Sequence, residues 1–367
     1  MRICHFADNH LGAGSGPREN DIFEGFKRAV DKIVELRPDL IINAGDLFHT
    51  VQPSNKVIAF ASRQLLRLGR DHKIPTVIIS GNHDAPKQKY IAAALSIFED
   101  YENIHVIYKS RYEKIRIGDV SVSAVPHCLT PEILHQELAR ILPVNDASIN
   151  ILVLHGVVGG IKAFQMADLS EQMIPSDCFK NFDYVALGHY HNFTKVDKNI
   201  YYSGSTERLS QAESGYKKGI IEAEFGKSGL TDIRFHEIPT RVMLDLPPVE
   251  ARGHSADEIM AQIEQKIRDK TPEDKIIRLK VDGISEETYR ALSFDKIAEM
   301  KSKAYSLDIQ FIKEEKKEDS LYADLNLGRL DLAFEKFISS SSIEKLEKEK
   351  LAKMGIDYLN RAEEIDD

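Results

Sequence analysis

Histidine, aspartate and asparagine residues follow several short apolar runs of this 367-residue chain, and these residue types can bind metal ions or move protons. The clearest case is VIISGNHDAP, residues 77–86, in which a strand-like run is followed by Asn82, His83 and Asp84. The same arrangement recurs in FADNHLG, NAGDLFH, VLHG and LGHYH. One such loop is commonly a plain polar turn, but five strand ends that each carry a ligand type favour a shared metal site.

The ligand types indicate the kind of ion. They combine imidazoles, carboxylates and one amide without a thiolate, which suits manganese, iron or zinc better than a structural zinc site. In the D-x-H and H-x-H segments, the two outer side chains leave the same face of an extended chain. A carboxylate such as Asp46 can bridge two cations, and two cations ~4 Å apart can act together on one phosphate group. The pattern therefore predicts a hydrolytic site with two metal ions.

Composition limits the class of protein. A hydrophobic content of 42% and a net charge of −9 indicate a soluble globular protein rather than a free-standing basic nucleic-acid binder. The chain has no 18-residue apolar run, and its first residues lack the features of a signal peptide. Cys4, Cys128 and Cys178 form no C-x-x-C pair, so a disulfide scaffold is not expected. The predicted location is a reducing compartment, most simply the cytoplasm.

The chain divides into two parts near residue 240. The first part alternates strand-like runs, such as RICHFA, LIINAG, TVIIS and INILVLHG, with helical patterns, which predicts an α/β fold. Residues 1–240 carry a net charge of −2, whereas residues 241–367 carry −7. We expect Pro239, Pro247 and Pro248 to interrupt any regular element at this boundary.

The ordered set D-x-H, G-D, G-N-H-D, H-G and G-H-x-H resembles the calcineurin-like metallophosphoesterase superfamily. AGDLFHTVQPS and YYSGSTERLS narrow the resemblance to the SbcD branch, the nuclease subunits of SbcCD-type double-strand-break repair complexes. Over residues 1–240 the resemblance rests on many matching motifs. After residue 240 it rests only on the order of the predicted elements. It implies a β-sandwich flanked by helices (1–240), a small α+β capping domain that helps to hold DNA (241–312), a charged linker (313–328) and a helical ATPase-binding segment (329–367).

The resemblance also implies roles for individual residues. Seven residues would bind two divalent ions, most simply manganese: Asp8, His10, Asp46 and His191 for one ion, and Asp46, Asn82, His155 and His189 for the other. His83 corresponds to the catalytic histidine of the family, which stabilises or protonates the scissile phosphate group. Asp84 would orient His83, with a loop-capping role as the alternative. His49 matches a histidine that positions the DNA phosphate, with a plain exposed histidine as the alternative.

The implied function is a manganese-dependent DNA exonuclease and endonuclease that hydrolyses phosphodiesters by a two-metal mechanism. Two alternatives stay open: a related phosphodiesterase or phosphatase acting on a small molecule, and a non-catalytic scaffold, which the complete ligand set disfavours. The acidic net charge is awkward for a DNA enzyme, although two divalent cations add positive charge locally and a basic partner could add more. The implied partners are single-strand regions and double-strand ends of DNA, an SbcC-type coiled-coil ABC ATPase and a second copy of the chain, at the nucleoid and without a membrane.

The C-terminal segment contains two predicted amphipathic helices. Leu330, Phe334, Phe337 and Ile338 form an apolar stripe in RLDLAFEKFISS, and the stripe continues in IEKLEKEKLAKMGIDYL. Helices that follow a charged linker and keep an apolar stripe need a surface on which to pack. We favour docking on the ATPase, and packing on their own domain is the alternative.

Overall fold

The computed structural model describes residues 1–14, 16–88, 91–159 and 172–314, with residues 334, 337, 338, 348 and 350–356 of the C-terminal segment. Strands and helices are numbered here in chain order. The first sheet has six strands, in the spatial order β14 (Gly229–Glu237), β13 (Gly219–Gly226), β1 (Arg2–Phe6), β2 (Leu40–Asn43), β3 (Thr76–Ile79) and β4 (Ile104–Ile107). Strands β1 to β4 are parallel, and β2 and β3 are buried along their whole length, as expected for apolar runs inside a parallel sheet.

The second sheet also has six strands. Their spatial order is β11 (Thr194–Asp197), β12 (Ile200–Tyr202), β10 (Tyr184–Gly188), β7 (Ile149–His155), β6 (Val120–Val125) and β5 (Glu113–Ile117). The four inner strands are parallel, and the outer strands β5 and β11 are antiparallel to their neighbours. Two short parallel strands, β8 (Val157–Val158) and β9 (Met173–Ile174), lie between β7 and β10 in the sequence.

The two sheets face each other across a buried core. Ile3 and Ile42 of the first sheet belong to the same apolar cluster as Ile151 and Tyr184 of the second. A second cluster lies on the outer face of the first sheet, under α1 (Pro17–Leu36) and α2 (Asn55–Leu66), and a third lies with α3 (Pro131–Leu138) on the second sheet. The predicted β-sandwich flanked by helices is therefore confirmed.

Helix α1 shows how the sequence builds an outer layer. Proline begins the helix at Pro17, where a missing N–H costs nothing, and Arg37 ends it in the left-handed conformation with its N–H bonded to the Ile33 carbonyl. Ile22, Phe26 and Ile33 are among the residues at helical spacing that the sheet buries. Helix α2 begins after Ser54, whose side chain accepts a hydrogen bond from the Val57 N–H.

The region after residue 240 forms a small parallel sheet with helices. Its strands are ordered β15 (Met243–Glu250), β16 (Ile276–Ile284) and β17 (Ser306–Lys313), and its helices are α4 (Ala256–Arg268), α5 (Glu286–Ala291) and α6 (Phe294–Lys303). The expectation that prolines interrupt this segment was wrong for two of them. Pro247 and Pro248 lie exposed inside β15, at a bulge of an edge strand, where missing N–H groups leave no ladder bond broken.

A polar cluster around Asp21 joins this region to helix α1. The guanidinium of Arg241 binds the Asp21 carboxylate of α1 with Nε and Nη2, at 2.9–3.0 Å, and lies 3.5 Å from the ring centre of Tyr305. The Tyr305 hydroxyl donates to the same carboxylate at 2.9 Å. The proposed capping domain is thus attached to α1 through one carboxylate.

Of the C-terminal segment, the described residues are helical. The ring of Phe334 lies against Gly355, whereas Phe337 is 50% exposed and Ile338 is buried. The rest of the predicted charged linker and of the two helical stripes lies outside the described residues, so the four predicted domain boundaries stay predictions.

Candidate metal centre

The predicted ligands lie where the carboxyl ends of the two sheets meet. Asp8 and His10 follow β1, Asp46 follows β2 and Asn82 follows β3, all in the first sheet. His155 is the last residue of β7, and His189 and His191 follow β10 in the second sheet. Each strand is a rigid support, and the loop after it carries the side chain, as is usual for sites at the carboxyl edge of α/β sheets.

One group of ligand atoms comes from Asp8, His10 and His191. One atom from each of these side chains lies within 4.8 Å of the others. The Nε2 atoms of His10 and His191 are 3.1 Å apart. Two nitrogens that each lie ~2 Å from one ion are separated by about 3 to 3.5 Å, so this spacing suits a shared cation.

A second group of atoms surrounds the Asn82 side chain. Its Oδ1 lies 2.9 Å from Nε2 of His155 and 3.1 Å from Nδ1 of His189. Asp46 lies between the two groups, because its Oδ2 is 3.6 Å from Nε2 of His10 and 3.4 Å from Nε2 of His155. All seven predicted ligands are therefore brought together, with Asp46 in the position expected of a bridging carboxylate.

Asp8 provides a direct test of whether a cation fits this centre. Its Oδ1 accepts the His189 N–H at 2.9 Å, whereas its Oδ2 is one of the buried atoms without a hydrogen-bond partner in the described part of the chain. An unsatisfied buried carboxylate oxygen is costly, and a bound cation would remove that cost. The donor set, which contains nitrogen and oxygen atoms but no sulfur, fits a catalytic divalent ion.

The backbone around the centre is strained. Ten described residues other than glycine have positive φ, and four of these are the predicted ligands Asp8, His10, Asp46 and His189. Such conformations concentrate at functional sites, where the surrounding structure enforces them. Gly81 permits a close approach of two ligands, because a Cβ there would lie 2.2 Å from Oδ1 of Asp46 and 2.6 Å from Cε1 of His155. The glycines beside the ligands are therefore required by packing.

The histidine side chains of the centre differ in their pKa values. Burial alone would lower the pKa of His155, but the carboxylates of Asp46 and Asp8 outweigh it and raise that pKa to about 9. Burial lowers the pKa of His189 to about 3, with the charge of His155 adding to the effect. Burial likewise lowers the pKa of His10. A proton on His155 occupies the position that a cation would take, so metal binding is expected to release protons.

The three residues predicted to act on substrate have separate environments. Nδ1 of His83 lies 3.1 Å from the His49 carbonyl oxygen, and the two rings stack at 5.1 Å. The Asp84 carboxylate accepts hydrogen bonds from the N–H groups of Gly81 and Phe48, at 2.8 and 3.2 Å. These contacts correspond to the loop-capping role that was the predicted alternative for Asp84. His49 is half-buried, with Nδ1 3.3 Å from Nδ1 of His10, so it lies within the centre rather than free on the surface.

The sequence reasoning missed two residues next to the centre. Oε1 of Glu213 lies 3.2 Å from Nδ1 of His191, and Nζ of Lys218 lies 2.5 Å from Oε2 of Glu213. Burial would raise the pKa of Glu213, but the bond with His191 and the charge of Lys218 lower it to about 2. The segment QAESGYKKG carries no motif and has the composition of a solvated loop, so no local signal marked either residue.

Comparison with known proteins places this geometry in a family. Residues 1–207 match the family described as Calcineurin-like phosphoesterase. The chain belongs to the calcineurin-like phosphoesterases. Its predicted enzyme class, a metal-dependent phosphoesterase, is thereby confirmed, and the family accounts for a centre of histidines, carboxylates and one amide between two sheets.

Curated relatives identify the branch of the family. The chain is 30% identical over 303 residues to the DNA double-strand break repair protein Mre11 of Thermoplasma acidophilum, an alignment that spans 77% of this chain and 78% of that protein. It is 32% identical over 234 residues to the Mre11 protein of Methanococcus maripaludis (59% and 60%) and 33% identical over 229 residues to that of Saccharolobus solfataricus (59% and 58%). The chain thus spans less than two thirds of the length of some of these relatives. The predicted resemblance to SbcD-type repair nucleases is confirmed at the level of the family.

Within the described part of the chain, no helix combines the length and the apolar character that crossing a membrane requires.

Proposed function

We propose that the protein is a manganese-dependent DNA nuclease that hydrolyses phosphodiesters at double-strand ends and in single-strand regions, as a subunit of an SbcCD-type repair complex. The observation that carries this proposal is the convergence of seven nitrogen and oxygen ligand residues, with Asp46 between two groups of histidines. The names of the relatives support DNA repair as the process in which it acts.

The proposal assigns each ligand to one of two ions. Asp8, His10 and His191 would hold the first ion, Asn82, His155 and His189 the second, and Asp46 both. When bound, two such cations neutralise phosphate charge and activate water for in-line attack. The protein residues fix the positions of the ligand atoms before substrate arrives, because strands from both sheets carry them.

His83 is assigned to proton transfer at the scissile phosphate rather than to metal binding. Its Nδ1 is placed to donate to the carbonyl of His49, which orients the ring and leaves Nε2 for substrate. Its backbone N–H donates to Oδ1 of Asp46 at 2.9 Å. The loop therefore couples the position of the proposed acid to that of the proposed bridging carboxylate.

A binding assay and a cleavage assay on the same variant test this proposal. His83→Asn is expected to lower cleavage of DNA about 10²- to 10⁴-fold, while two manganese ions still bind, because only proton transfer is removed. Cleavage is measured on linear double-stranded and single-stranded DNA, with manganese or with a chelator, and manganese binding by calorimetry. Wild-type protein that hydrolyses a small phosphodiester but no DNA would support the small-molecule alternative. Loss of one manganese ion in the variant would make His83 a ligand.

The proposed partners beyond DNA are a coiled-coil ABC ATPase and a second copy of the chain. The exposed Phe337 in the terminal helix supports a docking contact with the ATPase. The small domain of residues 241–312 is proposed to hold DNA against the centre, and its attachment to α1 through Asp21 fixes it to the sandwich. We also propose that the protein acts in the cytoplasm at the nucleoid.

A further inference from the structure

The ion pair between Glu213 and Lys218 is buried, and the proposed reaction does not use it. The Lys218 side chain is fully buried and that of Glu213 is 9% exposed. Removing two charges from water costs several kcal/mol for each ion, which only good pairing and further hydrogen bonds offset. The hydrogen bonds that Glu213 and Lys218 form with other residues indicate the role of the pair.

Both members of the pair contact His191. Oε1 of Glu213 lies 3.2 Å from Nδ1 of the ring, and Nζ of Lys218 donates to the backbone carbonyl of His191 at 2.7 Å. The opposite ring nitrogen, Nε2, faces Nε2 of His10 at 3.1 Å. One buried pair therefore holds the ring and the backbone of a single residue, on the side away from the other ligand atoms.

The carboxylate itself is fixed by its own loop. The Ser210 hydroxyl donates to Oε1 of Glu213 at 3.2 Å, and the Leu209 N–H donates to Oε2 at 3.4 Å. Arg208 donates from Nε to the Glu213 carbonyl oxygen at 3.2 Å and from Nη1 to the Arg241 carbonyl oxygen at 3.1 Å. The position of Glu213 is thus determined before any ion binds.

We infer that Glu213 and Lys218 are positioning residues that set the orientation and basicity of His191, and thereby the affinity of the ion held by Asp8, His10 and His191. This inference rests on the ligand assignment in the proposed function. A carboxylate that accepts the Nδ1 proton leaves the Nε2 lone pair available to a cation and strengthens it as a ligand. Lys218 keeps the carboxylate in place through the 2.5 Å contact of its Nζ with Oε2.

The effect should be confined to one of the two ions. His155, which is assigned to the other ion, has Nδ1 2.8 Å from the carbonyl oxygen of Ala44, a neutral partner that binds less strongly than a carboxylate. Changes at Glu213 should therefore weaken one binding event and leave the second nearly unchanged.

Calorimetric titration of the full chain with manganese chloride, without DNA, tests the inference. Glu213→Gln is expected to lower the affinity of one binding event about 10- to 100-fold and to leave the other within about threefold. Glu222→Gln is the matched control, because Glu222 is equally buried and binds His236 at 2.7 Å outside the centre. The control should leave both affinities unchanged.

A second variant guards against a folding defect. The double variant Glu213→Gln with Lys218→Gln leaves no buried unpaired charge, and it should show the same selective loss while melting within a few degrees of the wild type without metal. Unchanged manganese affinities in both folded variants, or an equal loss at both sites, would overturn the inference while DNA cleavage by the wild type still supported the function. Selective loss of one manganese affinity in the variants, together with a wild type that cleaves no DNA, would support the inference and overturn the proposed function. Wild-type protein that binds no manganese would overturn both.

Discussion

Asp46 and His49 lie three residues apart in one loop, yet their side chains have different surroundings. Asp46 is buried and lies near His10 on one side and His155 on the other. His49 is half-buried, stacks on His83 and has its Nδ1 3.3 Å from Nδ1 of His10. Because a bridging carboxylate offsets the mutual repulsion of two cations, its removal should affect both ions.

We therefore expect Asp46→Ala to reduce bound manganese from two ions to less than one per chain, and His49→Ala to leave two. Elemental analysis after gel filtration in a low fixed manganese concentration measures this difference. Thermal melting of the metal-free variants is the control for folding. Equal manganese contents in the two variants would argue against a bridge at Asp46.

At the scale of residues, sequence analysis predicted those site residues that lie next to one another in the chain and directly after an apolar run. Asp8 with His10, and Asn82 with His83, follow apolar runs directly, so a strand end and a ligand type coincide in one short string. Glu213 contacts a histidine 22 positions earlier, and its own neighbourhood is a polar loop. Sequence reasoning cannot find such a partner, because only the fold brings the two segments together.

At the scale of elements, the turn after β3 brings two loops into contact. Gly81 donates its N–H to Asp84 and allows Asp46 to approach its Cα. A methyl group there would lie 2.2 Å from Oδ1 of Asp46, so either the turn or the carboxylate has to move. Overpacking of this kind typically costs 1–3 kcal/mol, here at the ligand proposed to serve both ions.

Gly81→Ala is accordingly expected to lower stability by about 1–3 kcal/mol and to weaken manganese binding at both sites. Gly215→Ala is the control, since Gly215 is exposed and a Cβ there meets no atom within 4 Å. Denaturant unfolding and manganese titration of the two variants provide the comparison. A Gly81→Ala protein with unchanged metal affinity would show that the turn relaxes away from Asp46.

Two edge strands that sequence analysis did not identify, β5 and β11, share a physical cause. β5 reads EKIRI and β11 reads TKVD, so both are short, charged and only half-buried. An edge strand pairs on one side and packs on one face, which leaves a weak period-2 signal and favours charged residues that discourage further pairing. The inner strands β2, β3 and β7 were predicted because burial on both faces demands continuous apolar runs. The inner strand β6 reads VSVSAV, so serines interrupt its apolar run, and it was not predicted although it is buried throughout.

At the scale of the whole molecule, Asp21 connects the small domain to the sandwich. Burial would raise its pKa, but hydrogen bonds from Arg241, Arg18 and Tyr305 outweigh burial and lower it. A carboxylate whose folded-state pKa lies below the unfolded value of about 3.9 stabilises the fold above that pH. This contribution is lost as the pH falls through the folded-state pKa.

Asp21→Asn should therefore cost about 1.5–3 kcal/mol at pH 7, the usual range for hydrogen bonds to a charged group, and less near pH 3, which lies below the unfolded-state pKa. Asp31→Asn is the control on the same helix, because the Asp31 side chain is 40% exposed and its ion pairs should contribute little. Thermal melts of both variants and the wild type at the two pH values measure the effect. If the difference in melting temperature between Asp21→Asn and the wild type is equal at pH 7 and pH 3, the stabilisation does not come from the ionised Asp21 carboxylate.

The C-terminal segment yields a prediction on partner binding. Truncation after Lys317 should leave a folded protein that cleaves single-stranded DNA but no longer co-purifies with the proposed ATPase partner, because none of the residues assigned to the metal centre lies beyond Lys218. Phe337→Glu should act like the truncation, since Phe337 is exposed whereas Phe334 packs on Gly355. Burial of a large apolar side chain contributes roughly 1.5–3 kcal/mol before the cost of association. Unaltered co-purification, or aggregation of the truncated protein, would place these helices in the core of the molecule.

The prolines of β15 give the small domain two unequal sides. Pro247 and Pro248 lie on the outer edge of its sheet and present no N–H group to an approaching backbone. At these two positions a strand from another molecule finds no donor, which disfavours edge-to-edge self-association of this domain. Among the described strands, β17 forms the other edge of this sheet, and it ends at Lys313. A peptide that adds to this sheet by strand pairing is therefore expected to do so along β17.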